Sequence, residues 1–210
     1  RGVIADVAAV RKLSSLPDTA KELRDIASYL GAGEESIYLG ARATETRVKE
    51  TALDRSRVVA FSTHGLVSGE VKGLSEPALV LTPPKKGSNL DDGLLTASEI
   101  TDLKLNADWV ILSACNTASG GKPGAEGLSG LARSFFYAGA KSLLVSHWPV
   151  ESRAATQLTT KMFEALRSDP TIGRSEALRR SMMSLASNDN YSHPALWAPF
   201  VVVGEGGAQR

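Results

Sequence analysis

The chain has 210 residues, enough for one domain with a substantial hydrophobic core. Its formal net charge of +1 gives no basic surface for nucleic acid, and its 42% hydrophobic and 22% charged residues are typical of a soluble globular protein. No apolar run is long enough to cross a membrane. From the charge we expect no nucleic-acid partner, and from the lack of such a run we expect no membrane partner. The single cysteine excludes an internal disulfide and favours a cytoplasmic location.

The sequence begins with Arg1 rather than Met, and we interpret it as part of a longer protein. Residues 1–16 show a weak apolar pattern, and we expect them to be an extension or the remnant of an upstream region. Residues 17–204 are predicted to form one domain, followed by an unstructured tail at 205–210.

Helical and extended patterns alternate along the first half of the chain. Thr19 and Glu22 have the spacing of a capping box, and apolar residues at helical spacing follow until Gly31. The predicted elements are a helix at 19–30, a strand at 37–39, a helix at 44–53, a strand within 58–65 and an antiparallel, near-edge strand at 78–82.

The second half continues the alternation. Thr96 and Glu99 predict a second capping box at the start of a short helix that reaches Leu103. The later predicted elements are a strand at 109–112, a helix from 128 to 138, a strand at 142–147, helices at about 152–167 and 174–187, and a strand at 200–204. Strands that alternate with helices predict a parallel-rich sheet with helices on both faces.

The central apolar run stops at the only cysteine. Residues 109–121 have the sequence WVILSACNTASGG, in which large residues precede Ser113 and a loop of small residues follows. This pattern is typical of a strand buried on both faces, with Cys115 at its carboxyl end, where open α/β sheets bind ligands. A buried cysteine without a chemical role is the alternative interpretation.

A second strand ends in the same way at a histidine. Residues 58–65 have the sequence VVAFSTHG, so His64 and Gly65 follow an apolar strand. His64 and Cys115 are 51 residues apart, enough for one crossover between neighbouring parallel strands. Because a thiol nucleophile needs an imidazole to accept and return a proton, the two together indicate a catalytic pair, although a lone histidine there also fits a structural role.

Common cofactor and metal motifs are absent from the sequence. It contains no GxxxxGK[ST] and no GxGxxG after a strand, and GLSG at 127–130 is one residue short of a nucleophile elbow. The three histidines and one cysteine form neither CxxC nor HxxxH. We therefore expect no cofactor and no metal.

Five stretches in the same order carry a resemblance to a known family. They are STHG at 62–65, DGLLTASEI at 92–100, SACNTASG at 113–120, AEGLSGLARSFFYAGAKSLLVSHWPV at 125–150 and HPALWAPFVVVG at 193–204. From about residue 16 to 204 the chain resembles the CHAT domain, a caspase-like cysteine peptidase family related to separases. The spacing from His64 to Cys115 is also close to that of caspases.

The resemblance implies a fold and a set of roles. The fold is the three-layer α/β caspase-hemoglobinase fold, with a mostly parallel sheet of about six strands between helices. His64 matches the histidine of the catalytic dyad, Cys115 the nucleophile, and Gly65 the glycine whose amide helps to bind the oxyanion. Such domains usually have a strand before the helix at 19–30, which residues 1–16 do not supply, and often follow tetratricopeptide repeats.

Three further residues are candidates for substrate binding. His147 departs from the family pattern before Trp-Pro; it is a rival imidazole, and we expect it to line the substrate cleft with Ser113. Glu151 occupies a position where relatives often have Asp, and the resemblance suggests that it receives a basic side chain. Its alternative role is to complement a helix dipole. We expect His193 to be structural.

These observations lead to a hypothesis of peptide-bond hydrolysis in a protein substrate through Cys115 and His64, regulated by an upstream or partner domain. Two alternatives remain open. One is a catalytically silent interaction module with the same fold, and the other is a different thiol acyl-transfer enzyme such as an amidase.

Overall fold

The computed structural model describes residues 4–113, 125–148 and 150–207, with backbone alone for 125–129. Its helices are α1 (Val7–Val10), α2 (Thr19–Leu30), α3 (Glu45–Glu50), α4 (Ala97–Thr101), α5 (Ala125–Ala138), α6 (Ser152–Ser168) and α7 (Arg174–Ala186). Its strands are β1 (Val58–Phe61), β2 (Gly65–Leu66), β3 (Ala78–Val80), β4 (Leu94–Thr96), β5 (Trp109–Leu112), β6 (Ser142–Ser146) and β7 (Phe200–Gly204).

The main sheet has the strand order β1-β5-β6-β7. The first three strands are parallel, and β7 runs antiparallel to β6 at the edge. The predicted mostly parallel α/β arrangement is confirmed, but the described sheet has four strands rather than about six. Because β1, β5 and β6 are parallel, the residues that follow them lie at the same edge of the sheet, the one formed by the carboxyl ends of these strands.

Helices cover both faces of the main sheet. Alternate side chains of each strand point to opposite faces, so each strand contributes to the core on both sides. On one face, Val110 and Leu112 of β5 pack with residues of α4 and α5, such as Ile100 and Phe135. On the other face, Ile111 packs with α2, α6 and α7. All four residues of β5 are buried, as predicted for the central strand.

A second sheet lies beside the first. The strands β2, β3 and β4 form an antiparallel sheet in that order. The antiparallel direction predicted for residues 78–82 is confirmed, but their expected place near an edge is wrong, because β3 is the middle strand of this separate sheet. The strand β4 was not predicted from the sequence, because it is short and leads directly into α4.

Residues 4–16 pack on the second sheet instead of forming a strand of the main one. Ala5 and Val10 are buried in a cluster with Leu66, Val80 and Leu94. The backbone of Ala5 donates a hydrogen bond to the carboxylate of Asp92 at 2.7 Å. These contacts fix the segment that leads to α2 against the body of the protein.

The outer edge of β1 borders a cavity of about 1180 Å³. The residues that line it include β1 and residues 37–39. Ile37 and Leu39 have extended backbones, but residues 37–39 form no strand, so the prediction of a strand there is wrong. Within the described part of the chain, no strand pairs with this edge of β1.

Several predicted helix ends are confirmed. Gly31 closes α2 with a left-handed φ of 68°, and Gly139 follows α5 with a φ of 110°. The capping box of Thr96 and Glu99 is present at α4. The capping box predicted for Thr19 is wrong, because α2 begins after Asp18, and the carboxyl group of Glu22 points into the protein interior. None of the helices in the described ranges is long and apolar enough to span a membrane.

Candidate active site

His64 lies between β1 and β2, where the chain passes from the main sheet to the second one. The two residues before it are held by their side chains. Ser62 donates a hydrogen bond to the carboxyl group of Glu22, and Thr63 donates one to the carbonyl of Val80 at 2.6 Å. The position of His64 is thus fixed by contacts on both sides of the crossing.

The imidazole of His64 is 7% exposed and has a defined orientation. Its Nε2 lies 2.7 Å from the carbonyl oxygen of Ser14. A carbonyl oxygen only accepts hydrogen bonds, so Nε2 carries the proton, and in the neutral ring Nδ1 has a free lone pair. Nδ1 is buried and has no hydrogen-bond partner among the described residues. The ring is therefore prepared to accept a proton at Nδ1.

The backbone amide of Gly65 points away from the second sheet. Val80 donates a hydrogen bond to the carbonyl of His64 at 2.9 Å, and Gly65 lies opposite Leu79 in the ladder. Hydrogen-bonded and non-hydrogen-bonded pairs alternate along antiparallel strands, so Gly65 is in a pair that exchanges no bonds. Its N–H is directed away from β3 and remains available to another acceptor.

Cys115 lies outside the described residues. The chain is described as far as Ser113, which follows β5 and is buried. The backbone N–H of Ser113 donates a hydrogen bond to the carbonyl of Phe61 at 2.9 Å, which extends the pairing of β5 with β1 by one residue. The segment that leads to the cysteine therefore runs beside the segment that leads to His64.

A buried carboxyl group lies where these two strands end. Glu22 of α2 is 1% exposed and accepts hydrogen bonds from Ser62 and, at 2.8 Å, from Thr159 of α6. The side chain of Ser113 also interacts with this carboxyl group and lowers its pKa. Burial raises the pKa of Glu22 above its ordinary value, and these hydroxyl groups counteract the rise only in part.

His147 lies at the same edge of the sheet, directly after β6, but its side chain is exposed. Its backbone N–H donates to the carbonyl of Pro199 at 3.0 Å. The neighbouring Trp148 is held by its indole N–H, which donates to the carbonyl of Ala195 at 3.1 Å. Because β5 lies between β1 and β6, the structure separates His147 from His64 by one strand.

Glu151 and His193 both cap helical segments, Glu151 a long α-helix and His193 a short 3₁₀ turn. The carboxylate of Glu151 accepts a hydrogen bond from the backbone N–H of Ala154 at 3.1 Å and forms the N-cap of α6. The Nδ1 of His193 accepts from the N–H of Ala195 at 3.1 Å, at a 3₁₀ turn before β7. Glu151 is exposed, so the cap leaves its second oxygen accessible from solution.

Metal binding receives no support from the residues that the structure describes. Within them, no three His, Cys, Asp or Glu side chains are grouped closely enough to hold a metal ion.

A comparison with protein families matches a family model to this chain. The model of the CHAT domain matches residues 5–205, almost the whole chain. The chain belongs to the CHAT domain family. The region matched by the CHAT model includes Ser14, His64 and Cys115.

Two similar proteins, from Mus musculus and Homo sapiens, are both named tetratricopeptide repeat protein 28. Each is 29% identical to this CHAT domain over 223 residues, which cover 90% of this chain. The match covers 8% of each relative, so this chain spans a small part of the length of those proteins.

Two residues of the site, Ser14 and Glu22, were not predicted from the sequence. Ser14 acts through its backbone carbonyl, which any residue type would supply, so the sequence contains no signal for it. Glu22 does leave a signal, because it lies four residues before Ile26 and hence on the buried face of α2. An acidic residue on an apolar helix face indicates a buried polar contact.

Proposed function

We propose that this CHAT domain is a cysteine endopeptidase that hydrolyses peptide bonds of a protein substrate through Cys115 and His64. The observation that carries the proposal is the state of His64. Its Nε2–H donates a hydrogen bond to the Ser14 carbonyl at 2.7 Å. Its Nδ1 is buried and has no hydrogen-bond partner among the described residues, so the lone pair on Nδ1 is free. A general base needs such a lone pair, held in one direction and shielded from water.

In the first half of the proposed reaction, His64 Nδ1 accepts the thiol proton of Cys115, and the thiolate attacks the scissile carbonyl carbon. The carbonyl π electrons move to oxygen and form a tetrahedral oxyanion. The N–H groups of Gly65 and Cys115 are the proposed donors to this oxyanion. The alternation in the ladder between β2 and β3 supports Gly65 in this role, since its N–H faces away from β3.

The oxyanion then collapses, and the carbon–nitrogen bond breaks. His64 gives its Nδ1 proton to the leaving amine, which departs as the first product and leaves a thioester on Cys115. Water attacks the thioester while His64 accepts one of its protons. Breakage of the carbon–sulfur bond releases the carboxylic acid, and the thiolate regains a proton from His64.

Regulation by another part of the full-length protein is a second element of the proposal. The relatives are named for tetratricopeptide repeats, and the matched region covers 8% of their length. We propose that such repeats, located in the same full-length chain, present the substrate or control access to the site.

An active-site-directed peptidyl electrophile tests the proposed function. The electrophile should label the full-length protein in the presence of its activator. Labelling should disappear in Cys115→Ala, and its rate should fall strongly in His64→Ala. Asp108→Asn is a matched control, because Asp108 precedes β5 at the opposite edge of the sheet. Labelling that survives in Cys115→Ala would contradict the proposal.

The competing proposal is a catalytically silent CHAT domain that acts as an interaction module. The observation that favours this alternative is that both relatives are named for their repeats rather than for a reaction. A correctly folded full-length protein that resists the electrophile in the presence of its activator would support the silent module.

A further inference from the structure

Two strand ends of the candidate site converge on one buried carboxyl group. Ser62 follows β1 and lies two residues before His64, and Ser113 follows β5 and lies two residues before Cys115 in the sequence. Ser62 hydrogen-bonds Glu22, the side chain of Ser113 interacts with the same carboxyl group, and the hydrogen bond from Ser113 N–H to Phe61 extends the ladder between these strands beyond β5. Glu22 therefore holds the chain where sheet pairing stops.

We propose that Glu22 is a positioning residue of this site, and that its carboxyl group sets the separation between the backbone of His64 and the end of β5. This inference rests on the proposed peptidase function. The third partner, Thr159 of α6, fixes the carboxyl group itself through a bond of 2.8 Å. Glu22 thus anchors the two strand ends to two helices, α2 and α6.

The electrostatics of Glu22 indicate that it does more than stabilise the fold. Burial raises its pKa, and the charge of Asp25 on the same helix raises it further. The described groups that bond it from the ends of β1 and β5 and from helix α6 are neutral hydroxyl groups. Burying an acid with neutral partners is less favourable than burying an apolar residue of similar size.

The hydrogen bonds of Glu22 require its shape more than its charge. Glutamine has nearly the same shape as glutamate, with an amide oxygen that accepts hydrogen bonds and an amide nitrogen that donates them. Each hydroxyl partner is able to donate or accept. Glu22→Gln should therefore keep the two strand ends joined, whereas Glu22→Ala leaves the serines without their common partner.

The test measures the rate at which iodoacetamide alkylates Cys115 in the full-length protein at a series of pH values. Peptide mass analysis follows the modification at Cys115, and the midpoint is the pH at which the rate is half of its maximum. A thiol paired with an imidazole alkylates below the ordinary thiol pKa of about 8.5. In wild type we expect this lowered midpoint, and Glu22→Gln should alkylate within about twofold of wild type. In Glu22→Ala the midpoint should rise by about one pH unit, so the rate falls about tenfold at any pH more than one unit below the wild-type midpoint.

Two serine variants keep the test decisive if Glu22→Ala fails to fold. Ser62→Ala and Ser113→Ala should each raise the midpoint in part, because each removes one of the two strand contacts. Ser181→Ala is the matched control: Ser181 is also buried, but it bonds the carbonyl of Leu158 at 2.6 Å between α7 and α6. It should lower stability without moving the midpoint.

The outcomes separate this inference from the proposed function. If wild type shows a lowered midpoint that His64→Ala abolishes, but folded variants at Glu22, Ser62 and Ser113 all keep it, the positioning role is overturned and the dyad stands. If the wild-type midpoint is ordinary and His64→Ala leaves it unchanged, the dyad fails, and the role of Glu22 fails with it.

Discussion

The Nε2–H of His64 donates a hydrogen bond of 2.7 Å to the backbone carbonyl of Ser14. The two residues come from different parts of the fold. Ser14 follows α1, which packs on the second sheet, and His64 follows β1 of the main sheet. The packing of residues 4–16 therefore fixes which nitrogen of the imidazole carries the proton, and so which nitrogen accepts one.

This relationship predicts a single tautomer of His64. In the neutral ring, nitrogen NMR should show Nε2 protonated and Nδ1 unprotonated. Val10→Ala should release part of this constraint, because Val10 is buried where α1 packs on the second sheet. We expect a second tautomer to appear and the free energy of unfolding to fall by about 1 to 2 kcal/mol.

The other two histidines serve as internal controls in the same spectra. His147 and His193 lie outside the α1 contact and are both exposed. Their ring signals should not change in Val10→Ala. A folded Val10→Ala variant with an unmixed Nε2–H tautomer at His64 would show that the ring is fixed by other contacts.

The two imidazoles at the sheet edge should differ in their effect on turnover. His64→Ala removes the proposed base, and loss of general acid–base catalysis typically lowers kcat by about 10² to 10⁴-fold. His147→Ala removes an exposed side chain separated from His64 by one strand, so it should change substrate preference and leave kcat for the best substrate within about threefold. Steady-state kinetics on a peptide library measures both effects, and the opposite pattern would assign the base to His147.

The sequence predicts best those elements whose pattern is set by burial on both faces. The uninterrupted apolar run of β5 is compatible with a strand buried on both faces, and the spacing of apolar residues in α2 is compatible with a helix buried on one face. Both elements lie where the sequence predicts them. Gly31 and Gly139 mark helix ends because their positive φ values favour residues without a side chain.

The elements that the sequence did not predict depend on tertiary contacts. Residues 37–39 have an apolar, strand-like pattern, yet a strand forms only when a neighbour pairs with it, and none does among the described residues. The Ser14 carbonyl carries no sequence signal. Thr19 and Glu22 fit a local capping box, but Glu22 instead bonds Thr159, which is 137 residues away.

Glu151 is expected to influence which peptides are cut. Its carboxylate caps α6 through one oxygen, and the residue is exposed at the edge that also carries His147. If it receives a basic side chain, Glu151→Gln should lower kcat/KM by about tenfold for peptides with Arg or Lys before the cut, a loss of about 1.4 kcal/mol. Peptides with a neutral residue there should be cut at the wild-type rate.

The capping role of Glu151 provides the control for that prediction. Glutamine is a weaker N-cap, so a small decrease in melting temperature is expected whether or not the residue binds substrate. Glu151→Asp keeps the charge and a good cap, and it should retain part of the preference for basic residues. An unchanged substrate profile in Glu151→Gln would restrict this residue to its cap.

Asp108 should stabilise the protein in a pH-dependent manner without affecting catalysis. It precedes β5 and bonds Lys141 and Arg57, each at 2.7 Å, at the edge of the sheet opposite His64. Hydrogen bonds from Lys141 and Arg57 lower the pKa of Asp108 from 3.8 to about 2. Because Arg57 and Lys141 are 73% and 47% exposed, solvent screening limits the contribution to about 1 kcal/mol.

The sign of this contribution follows from the lowered pKa. The folded state binds the proton of Asp108 less tightly than the unfolded state, so the stabilisation is complete above about pH 4 and is lost as the pH falls toward 2. Urea unfolding of Asp108→Asn should therefore show a deficit of about 1 kcal/mol at pH 7 that disappears near pH 2, and a smaller deficit in 1 M salt. A deficit that persists at pH 2 would mean that the loss comes from packing at the start of β5, since the ion pairs contribute nothing once Asp108 is protonated.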